Sequence, residues 1–214
     1  TFCGKYASLI YTLIKAYKKM NLIIKSLNFS YQSEEVFKDL NLSFNSGILN
    51  LISGPSGSGK TTLLMCISNN FIGNTFNSNI ERGEYSFMEI GSSPSLIPKL
   101  SLIENIKYFL YKESIDEKLI VETLNKYQLN EFKEDLIEDY SSEMVKRSEL
   151  AIADLKKPDI LCIDEPKVYL DENGTQLLFD LLNYRETQKM TSILSSQESI
   201  NALSNIERTI DLND

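Results

Sequence analysis

Gly54-Pro55-Ser56-Gly57-Ser58-Gly59-Lys60-Thr61 is the stretch that decides the fold. It satisfies G-x-x-x-x-G-K-[ST] at every fixed position. Ile48 to Ile52 ahead of it, after the Ser46-Gly47 turn, reads as a buried strand. Thr62-Leu63-Leu64-Met65-Cys66-Ile67 after it reads as a helix. Strand, glycine-rich loop and helix, in that order, give the motif a mechanism. The glycines let backbone N–H groups wrap a phosphate chain, and the helix adds its positive end. On this reading Gly54, Ser56, Gly57, Ser58, Gly59, Lys60, Thr61 and Thr62 bind nucleotide. Lys60 reaches the β- and γ-phosphates and the Thr61 hydroxyl ligates Mg²⁺, so ATP and Mg²⁺ are the expected ligands.

A second motif lies far along the chain. Leu161-Cys162-Ile163-Asp164-Glu165-Pro166 is an apolar strand that ends in a carboxylate pair. Paired with the phosphate loop, Asp164 is expected to hold Mg²⁺ through water and Glu165 to polarise the attacking water.

Between and around these motifs the pattern alternates. Leu22-Ile23-Ile24, Leu27-Phe29-Tyr31 and Leu40-Leu42-Phe44 suggest strands. Ser101 and Glu104 form a capping box ahead of an apolar stripe through Leu102, Ile106 and Leu110. Helices are expected over Asp116 to Tyr127, Ser142 to Leu155 and Gln176 to Arg185, and strands at Ile160 to Ile163 and Thr191 to Leu194. Strands alternating with helices imply an α/β fold whose parallel sheet is covered on both faces.

Composition narrows the function classes. The chain has 214 residues, 42% hydrophobic and 24% charged, which suits one large domain with a proper core. A net charge of −8 argues against a nucleic-acid partner. Cys3, Cys66 and Cys162 stand at no metal-ligand spacing and histidine is absent, which argues against a zinc site. Few cysteines also point to a reducing compartment. No apolar run reaches the ~18 residues of a spanning helix, so a soluble or peripheral protein is expected. Residues 1–19 form an extension of their own. Tyr6, Leu9, Ile10, Leu13, Ile14 and Tyr17 fall on one helical face, with Lys15 and Lys19 on the other. That helix suits docking on a membrane or partner, a targeting remnant, or packing on its own domain.

From Met20 to Asp214 the chain resembles the ATP-binding domain of ABC transporters. Phe29-Ser30-Tyr31 looks like the family's adenine-stacking aromatic, with Tyr31 facing the base. Pro94 to Ile106 resembles the segment after the glutamine loop, and Tyr140 to Arg147 stands in the place of the signature. Leu170-Asp171 resembles the D-loop. The resemblance implies a P-loop NTPase of ABC type, with a parallel-sheet core, an antiparallel β subdomain and a helical subdomain over about residues 95–155, all within residues 20–214. The compact length and the segment Glu207 to Leu212 look most like the ATP-binding subunit of the cytochrome c maturation haem exporter.

Three positions depart from that pattern. The glutamine of the glutamine loop is Ser92 or Ser93. At the signature Ser141 is kept, but Ser142 and Glu143 replace glycines. If Glu143 faced a phosphate about 4 Å away, the repulsion would be roughly 4 kcal/mol at an effective dielectric near 20. Alternatively Glu143 turns outward and pairs with Lys146 or Arg147. Gln197 occupies the histidine-switch position and can hydrogen-bond but not shuttle a proton. These departures imply retained Mg-ATP binding with weak or absent hydrolysis, with Glu165 and Gln197 as the catalytic positions and Glu165 either active or idle. The implied partner is a polytopic membrane permease, with pairing as an ABC homodimer or heterodimer. A second reading is an inactive structural subunit of a larger respiratory membrane complex. The implied location is the matrix face of the mitochondrial inner membrane, or the cytoplasmic side of a bacterial inner membrane.

Overall fold

The structure, a computed structural model, describes residues 21–32, 34–69, 77–81, 84–111, 113, 115–197 and 206–212. The extension over residues 1–19 lies outside these. In chain order the strands are β1 (Leu22–Tyr31), β2 (Glu34–Phe44), β3 (Leu49–Ser53), β4 (Asn77–Glu81), β5 (Phe87–Ile90), β6 (Ile160–Asp164), β7 (Thr191–Ser196) and β8 (Ile206–Asp211). The helices are α1 (Lys60–Ser68), α2 (Leu102–Phe109), α3 (Glu117–Lys126), α4 (Ser142–Lys156) and α5 (Glu172–Thr187).

Five strands make a parallel sheet in the order β5-β6-β7-β3-β8, and three make an antiparallel sheet in the order β2-β1-β4. The parallel strands alternate between two cores, as a period of two requires. Ile52, Ile160, Cys162 and Ile193 face one core with α1 residues Leu63, Leu64 and Ile67 and the antiparallel-sheet residues Leu22, Ile24, Phe29 and Phe44. Leu51, Leu161, Ile163 and Leu194 face the other, with Leu150, Ala153, Leu178 and Leu182 of α4 and α5. Coverage on both faces explains why these strands read as continuous apolar runs.

Where the elements differ from the sequence expectation, side-chain hydrogen bonds are the reason. The two pieces expected at Leu22–Ile24 and Leu27–Tyr31 are one strand, bulged where Ser26 takes φ 49°. Asn41 Oδ1 accepts the Ser26 N–H at 2.9 Å and Asn28 Oδ1 accepts the Asp39 N–H at 2.9 Å, so the bulge keeps its backbone satisfied. The helix expected from Gln176 begins at Glu172, because the Asp171 side chain caps it by accepting the Gly174 N–H at 2.6 Å. The expected capping box is present: Ser101 N–H donates to Glu104 Oε2 at 2.9 Å and Glu104 N–H to Ser101 Oγ at 3.3 Å.

Parallel strands point their C-terminal ends the same way. Ser53 is opposite Ser196 and Asp164 is opposite Ser195 across the ladder. The glycine loop after β3, the Asp164-Glu165 pair after β6 and Gln197 after β7 therefore meet at one edge of the sheet, the usual place for a ligand in such a fold. Among the described residues no helix is long and apolar enough to cross a membrane.

Candidate phosphate-binding site

The loop after β3 is shaped by its glycines. Gly57 has φ 83°, and a Cβ there would meet nothing within 4 Å, which leaves open space over the loop. Gly59 has φ 92°, and a Cβ there would sit 2.8 Å from Phe37 Cζ and 3.0 Å from Val36 Cγ1. Only glycine takes that backbone conformation against the β2 side chains without strain. Lys60 is nearly buried, and its Nζ donates to Gly54 O at 2.7 Å and to Pro55 O at 2.8 Å. The side chain thus folds back along the loop. Ser56 is exposed, and the buried Ser58 Oγ has no hydrogen-bond partner among the described residues. Open space, an ammonium on the loop and an orphaned hydroxyl fit an anionic chain of phosphates.

The first turn of α1 joins the loop to β6. Thr61 Oγ1 donates to Asp164 Oδ2 at 2.7 Å, while Asp164 Oδ1 accepts the Ser195 hydroxyl. A hydroxyl and a carboxylate in contact are hard oxygen donors of the kind Mg²⁺ takes. Among the described residues no group of three His, Cys, Asp or Glu could hold a metal by itself, so such a cation would depend on oxygens of the ligand. Thr62 Oγ1 lies 3.3 Å from the Tyr31 hydroxyl. Tyr31 is 40% exposed and its ring makes a T-shaped contact with Phe29 at 4.9 Å, so its hydroxyl end stands beside the start of α1.

Glu165 follows Asp164 with φ 44°. Its Oε1 accepts the Gln197 N–H at 3.2 Å. Burial first, then the neighbouring Asp164 charge, push its carboxyl above the usual range, while Lys60 opposes them. Gln197, after β7, therefore stands beside Glu165, after β6.

The other wall of this edge is a cavity of about 310 Å³. It is lined from three segments: Gly91, Ser92 and Pro94; Tyr140, Ser142, Val145, Lys146 and Glu149; and Asp164, Glu165, Val168 and Tyr169. Of the two serines in the place of the glutamine, Ser92 is the one that lines it. Ser141 caps α4, its Oγ accepting the Met144 N–H at 3.2 Å. Glu143 pairs with Arg147, whose Nε donates to Glu143 Oε1 at 3.0 Å, and Arg147 Nη1 donates to Gln128 Oε1 at 3.1 Å. Of the orientations open in the sequence, the structure holds the pair with Arg147, so the Glu143 charge is neutralised locally.

Sequence reading missed Lys146 and Glu149 as a pair. Glu149 Oε1 accepts the Ser95 N–H at 2.9 Å and the Ser95 hydroxyl at 3.2 Å. Lys146 Nζ donates to Gly91 O at 3.4 Å. Burial lowers the Lys146 ammonium from its ordinary value, and Glu149 and Asp164 oppose that shift. The available signal was two charges at i, i+3 among Val145, Leu150, Ile152 and Ala153, residues that are buried.

A family model described as ABC transporter matches residues 37–168. The spermidine/putrescine import ATP-binding protein PotA of Fusobacterium nucleatum is 30% identical over 209 residues, covering 92% of this chain and 56% of that one. This chain thus spans just over half of that relative's length. The lantibiotic transport ATP-binding protein SrtF of Streptococcus pyogenes is 30% identical over 197 residues, covering 89% and 84%. The zinc import ATP-binding protein ZnuC of Wolbachia pipientis is 25% identical over 189 residues, covering 85% and 74%. A solved ATP-binding subunit of an ABC transporter superposes with a TM-score of 0.72 at 20% identity, covering 83% of this chain and 80% of that one. None of these relatives is described as a haem exporter.

Proposed function

The chain belongs to the ABC transporter family, and from that premise we propose that it is the ATP-binding part of a membrane transporter, one that binds Mg-ATP and hydrolyses it slowly. The observation that carries this reading is the bridge from Thr61 to Asp164 at 2.7 Å beside the buried Lys60. It joins two motifs far apart in sequence into one set of phosphate and cation ligands. When bound, the cation would neutralise charge on the terminal phosphates. Gly57 and Gly59 shape the loop around the phosphate chain, Lys60 turns from its loop carbonyls toward it, and Thr61 and Asp164 present oxygens to the cation. Tyr31 offers its ring to the base.

Slow hydrolysis is supported by what stands around Glu165. Its partner is Gln197, through the backbone N–H and the side-chain amide alike, and an amide can donate a hydrogen bond but cannot relay a proton. At the signature position Glu143 is tied to Arg147 rather than left open. We place the chain at a membrane through a permease partner, as its membership of the ABC transporter family supports. The relatives named above are bacterial ATP-binding proteins of spermidine/putrescine import, lantibiotic transport and zinc import, and they give no support to haem export or a mitochondrial location.

Titration calorimetry with ATP tests the site. Lys60→Ala should weaken binding by a factor of about 100 or more, since it removes a charge-assisted contact to the phosphates. Unchanged affinity would overturn the assignment. Phosphate release from the unmodified chain should run below about 1 s⁻¹, the low end for enzymes. A faster rate would remove the claim of slow hydrolysis and leave the binding site standing.

A further inference from the structure

Lys146 is 5% exposed and lines the cavity of about 310 Å³ beside Asp164 and Glu165. Among the described residues its Nζ makes one hydrogen bond, the long one of 3.4 Å to Gly91 O. An ammonium has three donors, and a buried one with most of them unmet is costly. The nearby Glu149 carboxylate is already engaged by Ser95 through its N–H and its hydroxyl. The arrangement therefore leaves donor capacity pointed at a cavity rather than at a protein partner.

That cavity adjoins the phosphate loop. Asp164 is shared between them, touching Thr61 of α1 on one side and lining the cavity on the other. Glu165 lines the cavity too, and its carboxyl feels the charge of Lys60. Two lysines thus flank the Asp164-Glu165 pair, Lys60 from α1 and Lys146 from α4. Resting on the nucleotide-binding reading above, we propose that Lys146 is a nucleotide-binding residue whose ammonium contacts the terminal phosphate of a nucleoside triphosphate seated on the loop, and so sets a preference for triphosphate over diphosphate. A terminal phosphate that arrives next to two carboxylates needs a cation there, and Lys146 supplies one from the protein. A diphosphate ends short of it and gains nothing from it.

The test is calorimetric titration of the full chain with ATP and with ADP, in EDTA so that no divalent cation masks the lysine. Lys146→Met should weaken ATP binding about tenfold and leave ADP within about twofold, as loss of one charge-assisted hydrogen bond predicts. An unchanged ATP-to-ADP ratio in Lys146→Met, with Lys60→Ala still abolishing both, overturns the role of Lys146 and leaves the loop assignment intact. If Lys60→Ala changes neither affinity, the loop assignment and the Lys146 proposal both fall. Should Lys146→Met lack a native melting transition, the double variant Lys146→Met/Glu149→Gln removes both buried charges, and the same ratio decides.

Discussion

The phosphate loop and the cavity beside α4 share Asp164 yet are built on opposite principles. The loop is made of backbone: left-handed glycines, a helix start and one lysine, all within residues 54–61. The cavity is made of side chains from residues 91–94, 140–149 and 164–169. Backbone geometry depends on few residue choices and tolerates no Cβ where one would collide. Side-chain walls depend on pairings, Glu143 with Arg147 and Glu149 with Ser95, and these can be exchanged one at a time. The first region keeps the whole glycine-and-lysine motif, whereas the second keeps Asp164 and Glu165 but carries Ser92 and Ser142 in its wall, and Gln197 contacts it through Glu165. That division is what a protein retaining ligand binding while altering turnover would have.

The widest gap between the two regions should appear with Gly59→Ala. The new methyl meets Phe37 at 2.8 Å and the φ of 92° disfavours any L side chain. The cost should be about 2 kcal/mol or more, from backbone strain and overpacking together. Denaturant unfolding would show it as a lower midpoint with an unchanged slope. A variant as stable as the parent would mean that β2 moves aside freely, and that the loop is less rigid than its contacts imply.

The same division explains what could be read from sequence. The phosphate loop was legible because its mechanism is local: eight consecutive residues, Gly54 to Thr61, state both conformation and chemistry. The strand of Ile160 to Asp164 was legible because full burial demands an apolar run. The bulge at Ser26 was not, since it depends on Asn28 and Asn41 completing hydrogen bonds across a sheet. Nor was it legible which of Ser92 and Ser93 lines the cavity, because nothing local distinguishes them and the lining is drawn from three separate segments. The sequence offers both Lys146 and Arg147 as partners for Glu143. The neighbours of Lys146 on α4 turn it inward to Gly91 instead, while Arg147 takes Glu143.

A smaller effect is expected in the second region from Arg147→Met. The Arg147 and Glu143 side chains are 14% and 29% exposed, so the pair is partly shielded from solvent. Removing the guanidinium leaves Glu143 and Gln128 without it and should cost about 1 kcal/mol, or roughly 2–4 °C in Tm. If stability is unchanged at both low and high salt, the pair is screened as a surface bridge would be. The contrast between a rigid loop and a charge-paired wall would then lose one of its supports.

The smallest and most specific effect concerns pH. Burial is the largest influence on Glu149 and raises its carboxyl, against the Ser95 hydrogen bonds and Lys146. A raised carboxyl binds its proton more tightly in the folded protein than in the unfolded chain, whose glutamate titrates near 4.3. Its contribution to stability is therefore fully present below the unfolded value and lost as pH rises through the folded one. Glu149→Gln carries no such slope. Thermal melts at about pH 5 and about pH 8 should show the variant gaining on the parent as pH rises, since the unfavourable ionisation is gone. Gly59→Ala should hold a constant difference over the same range, because backbone strain does not titrate. A parent that instead gains on Glu149→Gln with rising pH would mean that Ser95 and Lys146 outweigh burial. The cavity wall would then be stabilised by its charges rather than strained by them, and Lys146 would be held more by Glu149 than free to meet a phosphate.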